Sequence, residues 1–260
     1  MIQLDFGFGA LEAEFWRMMF AMTRIGAAML AAPIFGAGSV PPQLRVIMAG
    51  ALAVMVCVWT PLQPPPALLS ANGLLIVAGE ILVGLSLGFV LQFSFTAPVM
   101  AAEVIGGAMG MSMATAVDPN SGTQSPALGQ YFTVVLTVIF LALGGHLQWI
   151  ALVVDSYQVI PPGETWLGAE KLAQIAGFAT GMFITAVAIA LPVTLVLLVV
   201  QLVTGVLSRS APALNLFALG LPAGVLAGLA ALIAAAPLLT DQMTDLSVNA
   251  ISDVRAVLVR

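Results

Sequence analysis

From Ile175 to Leu207 the chain reads IAGFATGMFITAVAIALPVTLVLLVVQLVTGVL, without one Asp, Glu, Lys or Arg. About 20 apolar residues in an α-helix cross the ~30 Å hydrocarbon core of a bilayer. Polar and apolar residues do not alternate with period two here, so the stretch is no barrel strand. A helix that is apolar on every side needs lipid or other protein around it. Pro192 interrupts the run.

Similar runs lie on both sides, separated by Pro, Gly, Asn and Asp. Phe15 to Ala32 ends at the turn-rich segment from Pro33 to Pro42. Val46 to Trp59 closes at Pro61 and Pro64-Pro65-Pro66. Leu74 to Phe95 precedes a further helical stretch from Val99 to Val117, which breaks at Asp118-Pro119. Leu128 to Val154 is followed by Pro161-Pro162-Gly163, and Leu214 to Leu239 by a more polar tail. The pattern predicts an all-α, polytopic membrane protein of helical hairpins in a single domain, residues 1–260. The polar C-terminal helix, about 240–260, carries Asp241 and Asp245 early and Arg255 and Arg260 late, an order that suits the helix dipole.

Composition agrees. The 260 residues are 61% hydrophobic and 7% charged, with a mean hydropathy of +1.10. Soluble domains average about 25% charged residues. The formal net charge is −5, and no basic patch interleaved with aromatics marks a nucleic-acid binder. Residues 1–14 carry Asp5, Glu12 and Glu14 and no base, unlike the start of a signal peptide. Insertion is therefore expected to rest on the apolar runs themselves. Cys57 is the only cysteine and excludes an intramolecular disulfide.

The embedded charges argue against a solitary bundle of spans. Arg17 and Arg24 lie seven apart in the first run, on one helix face, and Glu80 and Glu103 sit in apolar stretches. Each costs about 2.5–3.5 kcal/mol at a bilayer centre, so the four together reach about 10 kcal/mol, the stability of a whole domain. They must face protein, water or a partner. Interhelical Arg–Glu pairing is one solution, and a proton or ion pathway through Glu80 and Glu103 is another. Val46 to Trp59 would span only about 21 Å at ~1.5 Å per residue. Across six spans Arg45 and Arg209 fall on one side, and Lys171, Arg255 and Arg260 on the other, a margin too small to set orientation.

Glycines recur at four-residue spacing: Gly84 and Gly88 after Glu80, Gly106 and Gly110, Gly177 and Gly181, and Gly220, Gly224 and Gly228. Such stripes let helix backbones approach closely, within one subunit or between subunits. The segment Gly106-Gly107-Ala108-Met109-Gly110-Met111-Ser112-Met113, which runs on to Asp118-Pro119, is made mostly of Gly, Ala and Met. It reads either as a packed helix with a capped end at Asp118-Pro119 or as a deformable plug, since Met fills irregular gaps without demanding one geometry.

Catalytic and metal chemistry find no foothold. His146 is the only histidine, and Asp155, nine positions on, projects from the opposite face of a continuous helix. One His and one Cys do not make a zinc site, and no phosphate loop is present. No enzyme activity and no cofactor or metal is expected.

These features, in this order, resemble the FliR family of flagellar biosynthetic proteins and its virulence type III secretion counterparts. The match begins at Arg24-Ile25-Gly26, Pro33-Ile34-Phe35-Gly36, Val40-Pro41 and Arg45. It continues through Gly79-Glu80, Gly84, Gly88, the Gly106 segment to Asp118-Pro119, Gly144-Gly145-His146 and Pro161. It ends with Leu191-Pro192, Gly205, Arg209, Pro212 and Asn215-Leu216-Phe217.

The resemblance implies a non-enzymatic subunit of a type III protein export gate in the bacterial inner membrane, at the flagellar basal body. The family assembles with FliP and FliQ in a closed helical hetero-oligomer around a channel for unfolded export substrates. FlhB associates with the gate and FlhA surrounds it. The implied plug comprises Gly106, Gly107, Met109, Gly110, Met111, Met113, Asp118 and Pro119. The implied buried-charge and assembly residues are Arg17, Arg24, Arg45, Glu80, Glu103 and Arg209. An injectisome counterpart and an independent secondary transporter are the alternatives; the latter calls for inverted repeats, and no matching halves are visible.

Overall fold

The computed structural model describes residues 10–62, 70–111, 127–163, 168–210 and 216–258. They form helices α1 (Ala10–Ala31), α2 (Pro42–Trp59), α3 (Ala71–Ala108), α4 (Ala127–Ala142), α5 (Gly145–Val159), α6 (Ala169–Ser210) and α7 (Leu216–Leu258). No strand occurs among the described residues, so the all-α expectation holds. Four helices, α2, α3, α6 and α7, are long and apolar enough to cross a membrane. Counting α4 and α5 together as one broken span makes five.

Proline marks starts in this chain more reliably than stops. α2 has Pro42 in its first turn, where the missing N–H is lost to no helical bond. It is 18 residues long, about 27 Å, because it begins four residues before the apolar run. Ser70 caps α3, its Oγ accepting from the Gly73 N–H at 3.0 Å. α3 then runs through Pro98, α6 through Pro192, and α7 through Pro222 and Pro237. The sequence pattern places a break between Phe95 and Val99 and an interruption at Pro192. In an apolar medium a broken helix strands several carbonyls, whereas a proline inside a helix strands one, so the helix persists. The polar tail is likewise the continuation of α7 and not a separate helix.

The run from Leu128 to Val154, which reads as one helix, breaks at Leu143 and Gly144. Gly144 has φ 70, a left-handed conformation open to a residue without Cβ. Its carbonyl accepts from Leu147 and Gln148 at 3.1 and 3.2 Å and so starts α5.

The chain divides into two compact units. The first comprises Met1–Phe93, Gly144–Ala179 and Val248–Arg260; the second comprises Ser94–Leu143 and Thr180–Ser247. In the first unit α1 lies directly on α3. A Cβ at Gly84 would collide with the Arg24 carbonyl, and one at Gly88 would sit 2.6 Å from the Ala28 carbonyl. This glycine stripe therefore serves packing within the chain. Trp149 fills the core beside it, stacked on Phe35 with centroids 5.4 Å apart, its Nε1–H donating to the Leu87 carbonyl at 3.2 Å. In the second unit Phe95 and Phe140 meet edge to face at 5.3 Å.

Candidate functional site

Arg24 is fully buried, at 0% exposure, in the first unit. Its Nε and Nη2 donate to Glu80 Oε2 and Oε1 at 2.8 and 3.0 Å, a two-pronged pair in which both oxygens are used. Nη1 donates to the Ser156 carbonyl at 2.8 Å and to Ser156 Oγ at 3.2 Å, and Nη2 to the Ile160 carbonyl at 3.0 Å. These bonds match the five N–H donors of a guanidinium. The Tyr157 ring lies 4.3 Å from the guanidinium carbon, and its hydroxyl donates to the Ala21 carbonyl at 2.6 Å. One side chain of α1 thus binds α3 and the C-terminal end of α5, where the helix dipole is negative.

The structure uses three other cations in the same way. Arg17 donates to the Cys57 carbonyl and, at 3.0 Å, to the Thr60 carbonyl at the end of α2. It also pairs with Glu14 at 3.3 Å. Arg45 donates to the Ala37 and Val40 carbonyls after α1. Lys171 reaches the Val257 carbonyl at 3.4 Å, beside Gln174, whose amide donates to the Ala256 carbonyl at 3.2 Å at the end of α7. The last carbonyls of a helix have no partner within it, and Arg17, Lys171 and Gln174 each supply one, whereas Arg45 holds the turn after α1.

Glu103 and Arg209 are exposed on α3 and α6. Neither ion pair found among the described residues includes them. Glu80 and Glu103 are thus not brought into one equivalent setting. His146 stands in the first turn of α5 and Asp155 nine residues on, about 13 Å along the axis. Among the described residues no group of three or more His, Cys, Asp and Glu is placed to hold a metal.

The glycine–methionine segment begins inside α3. Gly106, Gly107 and Ala108 belong to its last turn. The Gly110 N–H donates to the Gly107 carbonyl and the Met111 N–H to the Gly106 carbonyl, both at 3.0 Å. With Gly110 at φ 84 this is a Schellman end, so the helix stops at Ala108, short of the Val117 to which the sequence pattern carried it. Met109 is buried. Met113, Asp118 and Pro119 lie outside the described residues.

Sequence reading passed over Ser156, Tyr157, Trp149 and Gln201. Ser156, Tyr157 and Trp149 are buried hydrogen-bonding side chains in or next to an apolar run and need partners there, while Gln201 is an exposed one within the α6 run. That signal was available, although it names no partner.

Outside these polar joints the surface is apolar. Ile184, Val187, Val199, Leu202 and Val206 of α6 are all more than half exposed. A polar interior clamp, helices apolar on their outer faces and four or five candidate spans define a multi-pass helical membrane protein. The model of "Bacterial export proteins, family 1" matches residues 15–250, and the chain belongs to that family. Its relatives include the flagellar biosynthetic protein FliR of Escherichia coli (strain K12), 32% identical over 229 residues, covering 88% of this chain and 86% of the relative. The FliR of Bacillus subtilis (strain 168) is 34% identical over 202 residues, 76% of this chain and 78% of its own. The FliR of Aquifex aeolicus (strain VF5) is 29% identical over 228 residues, 88% of each chain. The resemblance drawn from the ordered motifs therefore holds.

Proposed function

We propose that this chain is a non-enzymatic subunit of the flagellar protein export apparatus, residues 1–260 forming one subunit of the export gate. The observation that carries the reading is the family match over residues 15–250, together with relatives that bear the name flagellar biosynthetic protein FliR over most of their own length. The names of those relatives favour a flagellar over an injectisome role. In this reading the subunit sits in the bacterial inner membrane and joins FliP and FliQ subunits around a channel, with FlhB and FlhA beside it. Unfolded flagellar proteins pass through, and Gly106 to Gly122 contribute the plug. Arg24 and Glu80 are satisfied within the subunit, which leaves its apolar outer faces for lipid and for other helices. At Gly177 and Gly181 a Cβ would meet nothing within 4 Å, as expected of a helix face kept free for a neighbour.

Removing the gene from its native cell should abolish export of flagellar proteins, and the intact gene should restore it. Co-expression with FliP and FliQ should yield a mixed complex, measurable by native mass spectrometry. Normal filaments in the deletion strain would sink the export role. Solute transport by the chain alone in vesicles would favour an independent transporter instead.

A further inference from the structure

The end of α3 is held from two other helices of its own unit. Gln201 of α6 donates from Nε2 to the Ala108 carbonyl at 2.8 Å. Gly224 and Gly228 of α7 form a notch for the next residue. A Cβ at Gly224 would lie 3.0 Å from the Met109 carbonyl. A Cβ at Gly228 would meet Met109 Cγ at 2.5 Å and its Sδ and Cε at 2.8 Å. The Met109 side chain therefore occupies the space that a side chain at Gly228 would need, and it is 3% exposed. The Schellman bonds at Gly110 and Met111 complete the joint from within the chain.

We propose that Met109, seated on Gly228 and braced by Gln201, is a fixed anchor that sets where the chain leaves α3; this rests on the reading of Gly106 to Gly122 as the plug. The anchor stays closed during export. Sequence alone leaves this segment open between a packed helix and a deformable plug. The structure divides it, with residues 106–111 belonging to a capped helix end. Met109 and Gln201 are positioning residues: they touch no cargo, and they act on the segment that follows.

A cross-link tests this in the full-length chain, in cells carrying the complete apparatus. Cys57 is replaced by Ala, and the pair Met109→Cys and Gly228→Cys is introduced. Adding one C–C bond to the 2.5 Å contact puts the two Cβ atoms within about 4 Å, inside the disulfide range. Mild oxidation should cross-link most of the chain, and secretion of flagellar protein should continue at the rate of the reduced cells. Secretion that stops on oxidation and returns with reductant overturns the proposal, because the joint would then have to open. Failure to cross-link overturns it as well.

A second variant, Gly228→Leu, crowds Met109 out of the notch. It should raise leakage of small solutes through the resting membrane roughly five- to thirtyfold, the population change that overpacking strain produces. Adding Met109→Ala should return the leak to its original level at unchanged amounts of subunit. Equal leakage with and without Met109→Ala counts against the anchor. Deleting residues 112–122 separates the two ideas. A deletion that does not leak sinks the plug reading, and the cross-linking result still decides the anchor.

Discussion

The C-terminal ends of α5 and α3 are both held by side chains from other helices, but by opposite means. At α5 a single arginine closes its shell with a carboxylate, two carbonyls, a hydroxyl and an aromatic face. At α3 the hold is one amide hydrogen bond and a methionine in a glycine notch. The first arrangement is directional, and with either charged partner gone it leaves a bare charge in a water-free interior. The second is adaptable, since a methionine can be replaced by other apolar groups at modest cost. A membrane subunit can thus fix one region by electrostatics and another by shape. Mutation should tell the two apart by how abruptly each fails.

Charge reversal at Glu80 should have the largest effect. Glu80→Lys places two cations together in a sealed space, and losing one partner of a buried pair costs about 3–5 kcal/mol. The variant should disappear from membranes, seen as a shortened half-life after synthesis stops. Arg24→Glu with Glu80→Arg restores the pair but moves the donors away from Ser156 and Ile160, so only part of the protein level should return. Full recovery would show that the α5 carbonyls do not need Arg24.

Gly84→Leu comes next, because it pushes against backbone rather than a movable side chain. Overpacking typically costs about 1–3 kcal/mol, and backbone contact puts this site at the upper end. The expected result is a lower unfolding temperature in detergent; an unchanged one would mean that α1 and α3 can separate. Tyr157→Phe keeps the ring over Arg24 and removes only the donor to Ala21, so about 1 kcal/mol is expected. A loss as large as that of Glu80→Lys would shift the weight of the clamp from the ion pair to the hydroxyl. Gly177→Ala should be the mildest, within about 0.5 kcal/mol for the isolated subunit, like other open-surface changes. If that face meets a neighbouring subunit, the same variant should still reduce recovery of the mixed complex.

Much of the fold was legible in the sequence, because charge-free runs and the lack of period-two alternation are local properties. The bounds were less legible. The gap between Phe95 and Val99 and the interruption at Pro192 follow the rules of aqueous helices, yet Pro98 and Pro192 both lie within helices here. Gly144, in contrast, ends a run that hydropathy alone joins together. The candidate site divides similarly. Arg24 and Glu80 stood out because an apolar run makes a charge conspicuous. Their pairing across 56 positions, and the choice of Glu80 over Glu103, depend on which face of α3 meets α1. That face is set by Gly84 and Gly88, whose stripe was visible but could equally have served a neighbour. In the Gly106 segment, composition showed small and flexible residues and could not show that Gly110 closes a helix end.

The donation of Arg17, Arg24, Arg45 and Lys171 to main-chain carbonyls also bears on how the chain is oriented in its membrane. These are four of its seven Lys and Arg residues. During insertion each is a free charge that the membrane voltage can act on. Once the helices close, three of the four belong to helix ends, and Arg45 to the turn after α1. Turning over one helix afterwards would pull guanidinium or ammonium groups off the carbonyls they now bond. Main-chain hydrogen bonds thus hold the orientation in which the helices closed. Of the cations among the described residues, only Arg209 and Arg255 lie exposed.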